Sequence, residues 1–345
     1  MSFITFHKSF KLNEVSFADI NEILIYTEKQ DFEAYQFLKD WFSESKCISV
    51  QTSGSTGTPK IISLKKEQMI NSALATGNFF NLKENTKALL CLSTAYIAGK
   101  MMLVRALTLG WEIDVVKTES NPLISIEKKY DFSAMVPLQL ENSIDKLHQI
   151  KTLIVGGGVV SSSLQQRIQT SVCNIYATYG MTETITHVAI KKLNNNSVTP
   201  NFYTVLPNVN IYIDEKSCLV INAPKVSDDL VFTNDVVQLI SDNQFNWLGR
   251  FDNVINSGGV KLFPEKIEEK LSKILDSRFF VAGISDEKLG EKLILIIEGK
   301  KHNVDLSSCN LSKFEKPKSV YFIDKFVETD TKKIQRNRTI KIIEL

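Results

Sequence analysis

The spacing of apolar positions changes character several times along the chain. Cys47, Ile48 and Val50 close one apolar run and Ile61-Ile62-Ser63-Leu64 opens another, so Ser49 to Lys60 reads as a loop between two strands. Lys65 to Phe80 places Met69, Ala73 and Thr76 in near-helical register beneath a long polar face, which predicts a helix. Ala88-Leu89-Leu90-Cys91-Leu92-Ser93 is unbroken, as in a parallel strand buried on both faces. An apolar helix, Met101 to Leu109, follows and is interrupted by Arg105. Strand patterns at Trp111–Val116, Phe132–Pro137, Lys151–Val155 and Val172–Thr178 alternate with helical stretches, one running to Leu147 and one opened by Ser161-Ser162-Ser163. Such alternation predicts an open parallel α/β sheet.

Both flanks differ from this middle. Residues 1–46 predict a short strand and a helix from about Asp31 to Ser43, with Phe32, Tyr35, Phe37, Leu38 and Trp41 forming its buried face. From Asn194 onward short strands at Ile211–Asp214, Cys218–Ile221, Leu230–Thr233, Val236–Ile240 and Gln244–Gly249 predict an antiparallel or barrel-like subdomain. Then Ser257-Gly258-Gly259 reads as a turn and Pro264 opens a helix, with Glu265, Glu268 and Glu269 early and Lys273 late, as the helix dipole favours. Strands near Arg278–Ile284, Lys292–Ile297 and Ser319–Ile323 complete a small α+β unit. The expected organisation is a large domain over residues 1–250 and a small one over 253–345.

Composition narrows the partners. A net charge of +2 offers no global field for nucleic acid or an anionic membrane. The basic tail Asp330–Arg338 is short, and no basic stripe elsewhere supports it as a nucleic-acid surface. The five cysteines are scattered without metal-ligand spacing, which fits reduced core residues and a cytoplasmic protein. No apolar run reaches the length of a membrane span, and the start lacks the pattern of a signal peptide. Oligomeric state stays open, a homo-oligomer included.

Three stretches carry chemistry. Thr52-Ser53-Gly54-Ser55-Thr56-Gly57-Thr58-Pro59-Lys60 combines small residues, hydroxyls and a lysine, the makings of a phosphate grip. Gly156-Gly157-Gly158 ends a parallel strand, where such sheets hold ligands. Arg105 sits in an apolar helix, where burial without an anion is costly and where snorkelling from the helix edge is the commoner outcome.

Four stretches in fixed order resemble the adenylate-forming superfamily of acyl-CoA synthetases, peptide-synthetase adenylation domains and luciferases. They are the Thr52–Lys60 loop; Tyr179-Gly180-Met181-Thr182-Glu183; Asp235 with Gly249-Arg250-Phe251-Asp252 through Gly258-Gly259 to Pro264–Glu268; and Thr331-Lys332-Lys333-Ile334-Gln335-Arg336. Within it the chain most resembles the o-succinylbenzoate–CoA ligases of menaquinone biosynthesis, in a short form. That likeness rests on Tyr96-Ile97-Ala98-Gly99 through Leu103-Val104-Arg105, Met135–Leu140, Gly156–Gly158 and Tyr179–Thr184.

The resemblance implies an acid–thiol ligase using ATP, Mg²⁺ and CoA. By the same token, Thr52, Ser53, Gly54, Ser55, Thr56, Gly57 and Lys60 hold phosphates, and Gly157, Gly158, Tyr179, Gly180, Asp235 and Arg250 hold the nucleoside. Lys333, Thr182 and Glu183 are the catalytic set, with Glu183 on Mg²⁺; Arg105 and Gly156 meet the acid; Asp252 is the hinge, and Gly258 and Gly259 line the CoA path. Three departures stand out: only about fifty residues precede the phosphate loop where the family usually has many more, Lys332 stands where glycine is usual, and Asn234 replaces the glycine of Thr-Gly-Asp. A ligase for another aryl or acyl acid and a nucleotide-binding regulatory protein without turnover are the rival readings.

Overall fold

A computed structural model describes residues 5–30, 33–51, 61–195, 202–329 and 334–343. The chain opens with two short strands, β1 (Lys11–Leu12) and β2 (Val15–Ser16), and two helices, α1 (Ile20–Lys29) and α2 (Ala34–Phe42). A hairpin of β3 (Cys47–Gln51) and β4 (Ile61–Lys65) leads to α3 (Lys66–Phe80). Next come β5 (Lys87–Leu90), α4 (Ile97–Leu109), β6 (Glu112–Val115), β7 (Tyr130–Met135), α5 (Pro137–Asn142), β8 (Ile150–Val155), α6 (Ser162–Arg167) and β9 (Asn174–Gly180). The antiparallel run is β10 (His187–Lys192), β11 (Tyr203–Val205), β12 (Asn210–Ile213), β13 (Cys218–Asn222), β14 (Val231–Ser241) and β15 (Gln244–Arg250). Beyond it lie β16 (Ile255–Ser257), β17 (Val260–Leu262), α7 (Pro264–Leu271), β18 (Phe279–Asp286), β19 (Gly290–Glu298), β20 (Ser319–Ile323) and α8 (Arg336–Ile342).

The α/β expectation is met. Strands β9, β8, β7, β5, β6 and β1 lie side by side and pair in parallel. The central strand β5 is buried on both faces, as its unbroken apolar run implies: Ala88 and Leu90 enter one core, Leu89 and Cys91 the other. Of the two forms open to the later strands, the antiparallel one is found. β10 pairs antiparallel with β9, so the run β10-β11-β15-β14-β13-β12 extends the parallel sheet into one of 13 strands. A separate sheet of five strands, β16 to β20, lies wholly in residues 255–323.

Several boundaries differ from the sequence reading. Leu230–Thr233 and Val236–Ile240 fall almost wholly in the single strand β14, because Asn234 and Asp235 between them are accommodated by a register shift against β13, between Cys218 and Val220. The stretch toward Leu147 splits into α5 and a 3-10 turn, Ile144–Gln149. α7 ends at Leu271, so its terminal cation is Lys270 rather than Lys273. α1, β10 and β11 lacked a strong periodic signal and were not anticipated.

Asn194 fastens the sheet behind the site. It is fully buried; its Nδ2 donates to the carbonyls of Cys173 (2.7 Å), Ile168 and Ser171 (both 3.3 Å), and its Oδ1 accepts from Ile175 N–H at 2.9 Å. One side chain thus satisfies the loop that feeds β9. Asn194→Ala strands these backbone groups and is expected to cost about 2–4 kcal/mol in urea unfolding. Asn195→Gly, which removes one exposed bond to Ser171 and tolerates the φ of +56° there, is expected to cost less than about 1 kcal/mol.

Candidate active site

The carboxyl ends of β7, β8 and β9 converge, and their loops carry the predicted glycines. Gly156 N–H donates to Met135 O at 3.1 Å, and Thr178 Oγ1 donates to Val155 O at 3.1 Å. Gly157 sits at φ +79°, a backbone conformation that costs most side chains dearly, and is exposed. Gly180 at the end of β9 lies so near the next turn that a Cβ would fall 2.1 Å from Thr186 O. Only glycine allows β9 and that turn to touch.

The turn itself is strained. Thr182–Thr184 forms one 3-10 turn, and Ile185 follows at φ +66° and ψ −65°. Thr186 N–H closes on Thr184 O at 2.7 Å, making a γ-turn of the rare positive-φ hand. A β-branched residue held there costs on the order of 1–3 kcal/mol. The buried Thr184 hydroxyl sustains the turn, donating to Thr186 O at 2.8 Å and accepting from Met181 N–H at 3.2 Å. On one side of this turn Glu183 is exposed, and on the other Thr186 points inward.

Inward lies Arg105. The sequence favoured snorkelling, but α4 is buried around its whole circumference from Met101 to Leu107, and Arg105 is 2% exposed. No helix edge reaches water there. Its Nε donates to Thr76 Oγ1 and its Nη2 to Thr186 Oγ1, each at 3.3 Å. Ser72 Oγ lies 3.0 Å from Thr186 Oγ1, and His187 Nε2 lies 3.4 Å from Thr76 Oγ1. Among the described residues no carboxylate pairs with this guanidinium. Burial pulls its pKa down to about 10. Burial, then the adjacent Arg105 charge, pulls His187 from 6.5 down to about 3, so the imidazole is neutral. Ser72 and His187 also line a cavity of about 200 Å³ with Asn71, Asn208 and Val226.

A second network gathers on the antiparallel side. Tyr179 OH donates to Asp235 Oδ2 at 2.7 Å, and Trp247 Nε1 donates to Asp235 Oδ1 at 3.1 Å. Asp235 and Arg250 face each other across β14 and β15, with Nη1 3.9 Å from Oδ1. Burial, reinforced by the Asp235 charge, raises the Tyr179 phenol far above its ordinary value and pushes Tyr203 up to about 12. The Tyr179 ring packs on Phe245 (5.1 Å) and Tyr203 (5.7 Å). Arg250 Nη2 lies 3.9 Å from Asp252 Oδ2, which also accepts from Asn234 Nδ2. The departure at Asn234 therefore has a partner, the candidate hinge residue.

The sequence model of the AMP-binding enzyme family matches residues 17–224, more than half of the chain. The chain belongs to that family. It is 37% identical to a solved acyl-CoA synthetase (AMP-forming)/AMP-acid ligase II-like protein of Dyadobacter fermentans, covering 90% of this chain and 93% of that one at a TM-score of 0.61. It is 25% identical to a 2-succinylbenzoate–CoA ligase of Lactococcus lactis over 86% of this chain and 71% of that protein. It also shares the fold of the o-succinylbenzoate–CoA synthetase of Bacillus subtilis, solved with ATP and magnesium, at a TM-score of 0.73 and 17% identity over 93% and 82% of the two chains.

The site residues expected from the sequence are brought together in part. Gly156, Gly157, Gly158, Tyr179, Gly180, Thr182, Glu183, Asp235, Arg250 and Asp252 follow one another through β8–β9, β14 and β15, and Arg105 reaches the same turn through Thr186. Gly258 and Gly259, both at positive φ, form the two-residue turn of the β16–β17 hairpin, and Gly258 N–H donates to the carbonyl of Leu289, in the loop between β18 and β19, at 2.8 Å. Thr52, Ser53, Gly54, Ser55, Thr56, Gly57, Lys60 and Lys333 lie outside the described residues; Gln51 and Ile61, which pair across the hairpin, flank the first group. Thr76, Thr186, His187 and Trp247 were missed. For Thr76 and His187 the signal was available, polar residues at buried positions of otherwise apolar faces; Thr186, half-buried in a turn, gives none.

The depressed His187 pKa has a measurable consequence. Between pH 6.5 and about 3 the unfolded chain binds a proton that the folded chain refuses, so stability rises with pH through that window and is lost as pH falls. On moving from pH 7 to pH 5, wild-type unfolding free energy is expected to drop by about 2 kcal/mol more than that of His187→Asn. Denaturant titration at both pH values checks this.

Proposed function

We propose that the chain is an AMP-forming acid–CoA ligase whose acid is o-succinylbenzoate, the substrate named for its curated relatives. The observation that carries the choice of acid is Arg105: a cation buried among hydroxyls with no carboxylate partner among the described residues. o-Succinylbenzoate has two carboxylates, of which one is activated. The other is the anion such a site calls for, and a desolvated charge-assisted pair would discriminate against acids lacking it. Gly156 would border the acid.

In the first step a carboxylate oxygen attacks the α-phosphorus of ATP, and the bond to the pyrophosphate oxygen breaks. Two anions approach, so the reaction needs fixed positive charge where charge develops. Lys333 would supply it at the carboxylate and α-phosphate, with Thr182 hydrogen-bonding that phosphate. Thr52–Lys60 would grip the β- and γ-phosphates. Tyr179 would stack on adenine, flanked by Gly157, Gly158 and Gly180. Asp235 and Arg250 would hold the ribose hydroxyls. The exposed Glu183 fits Mg²⁺, which commonly takes one or two carboxylates and completes its shell with phosphate oxygens and water. When bound, the ion neutralises phosphate charge. In the second step the CoA sulfur attacks the acyl carbon, the bond to AMP breaks, and the thiol proton is released.

Two chemistries at one site favour a moving C-terminal unit, residues 253–345, hinged at Asp252, with Gly258 and Gly259 beside the pantetheine arm after rotation. A cytoplasmic enzyme fits the absence of any described helix long and apolar enough to cross a membrane.

The test is AMP release with ATP, Mg²⁺, CoA and o-succinylbenzoate, beside benzoate and a medium-chain fatty acid. Release with o-succinylbenzoate alone, abolished by Lys333→Ala, is expected. Arg105→Gln is expected to raise KM for o-succinylbenzoate about 30- to 100-fold with a smaller change in kcat. Release with a different acid would keep the ligase and replace its substrate. ATP binding without release would favour a regulatory protein.

A further inference from the structure

The C-terminal sheet contains an ion pair that the ligase reading does not use. Glu268 on α7 accepts from Val281 N–H at 2.9 Å through Oε1 and from Arg336 Nη2 at 2.8 Å through Oε2. Arg336 Nη1 donates to Val281 O at 3.2 Å, and its guanidinium lies 5.6 Å from the Phe280 ring centroid. One carboxylate, one guanidinium and one backbone unit of β18 close a ring, with both side chains about four-fifths buried. Burial pushes the Glu268 carboxyl up to about 7 against the opposing pull of Arg336. A buried pair with so many directed bonds fixes geometry more than it adds stability.

What it fixes is the start of α8. Gln335 N–H donates to Val327 O at 2.8 Å, Val327 N–H to Thr339 Oγ1 at 3.1 Å, and Gln335 Nε2 to Glu328 O at 3.2 Å. Glu328 and Ile334 form an isolated antiparallel bridge. Lys333 is the residue before Ile334 in the chain. α7 also reaches the other way: Glu265, one turn before Glu268, packs so closely on Gly249 of β15 that a Cβ there would lie 2.2 Å from Oε2. The helix that grips Arg336 is therefore the one seated beside Arg250 and Asp252.

We propose that Glu268 and Arg336 are positioning residues for the adenylation step, holding the root of the segment that bears Lys333. The inference rests on the ligase reading and on Lys333 as its adenylation lysine. It separates the two half-reactions, because only the first needs Lys333.

The experiment compares wild type with Glu268→Gln and Arg336→Lys, and with Lys270→Met, which breaks a different α7 ion pair, to Glu315. Acid-dependent ATP–pyrophosphate exchange reads adenylation; thioester formation from supplied o-succinylbenzoyl-AMP and CoA reads the second step. The positioning variants are expected to lose about 10- to 100-fold in exchange and less than about 3-fold in thioester formation, with Lys270→Met losing neither selectively. Arg336→Lys, which keeps the charge, stands in if Glu268→Gln fails to fold. Equal loss of both steps, or no loss in a folded variant, overturns the proposal. Amide exchange at Gln335 gives a readout independent of the acid: about 10-fold faster exchange in the variants is expected, and unchanged protection overturns the pinning. Wild type inactive with every acid would sink the ligase reading while leaving that measurement decisive.

Discussion

A guanidinium taken almost wholly out of water, with two threonine hydroxyls for partners, is the constraint around which this site is built. Such burial costs several kcal/mol unless an anion compensates it. The surroundings are arranged to keep the cation rather than quench it. Thr76 comes from α3 and Thr186 from a strained turn, so neither can swing away without unpacking a core element. His187 stays neutral beside it. The cost is spread over the fold, and under the proposed function an incoming carboxylate would recover it, giving the pocket its selectivity for a second carboxylate.

The strained turn also joins the two halves of the site. Gly180 lets β9 approach it, Thr184 locks it, and Glu183 is held on its outer side. Across the antiparallel strands Asp235 collects Tyr179, Trp247 and Arg250, and Arg250 passes the arrangement to Asp252. Arg105 and Asp252 are thus linked by a chain of hydrogen bonds and ion pairs. A displacement at one end has a physical route to the other, through Thr186, the turn, β9 and Asp235.

The parallel sheet was legible because apolar strand patterns, unbroken at β5, alternate with helical stretches between glycine or polar turns. The motif glycines were legible because positive φ and close backbone approach leave few alternatives, as at Gly157 and Gly180. Arg105 illustrates what was not legible. Its helix looked amphipathic enough at one position to release a charge, yet tertiary packing covers all sides of α4. β10 and β11 were hidden because antiparallel neighbours supply their burial, and no period marks them. β14 looked like two strands because Asn234-Asp235 reads as a turn in sequence, whereas the site needs both side chains within a bulged strand. Asn194 gives no local signal at all, since its four partners are distant in the chain.

The most direct measurement of the central claim is a double-mutant cycle between protein and substrate. It compares kcat/KM for o-succinylbenzoate and for the analogue whose unactivated carboxylate is replaced by hydrogen, in wild type and in Arg105→Gln. A coupling of about 2–3 kcal/mol is predicted, meaning that removing the carboxylate hurts the wild type far more than the variant. Additive effects, with the carboxylate worth as much to Arg105→Gln as to wild type, would contradict the account and return Arg105 to a structural role.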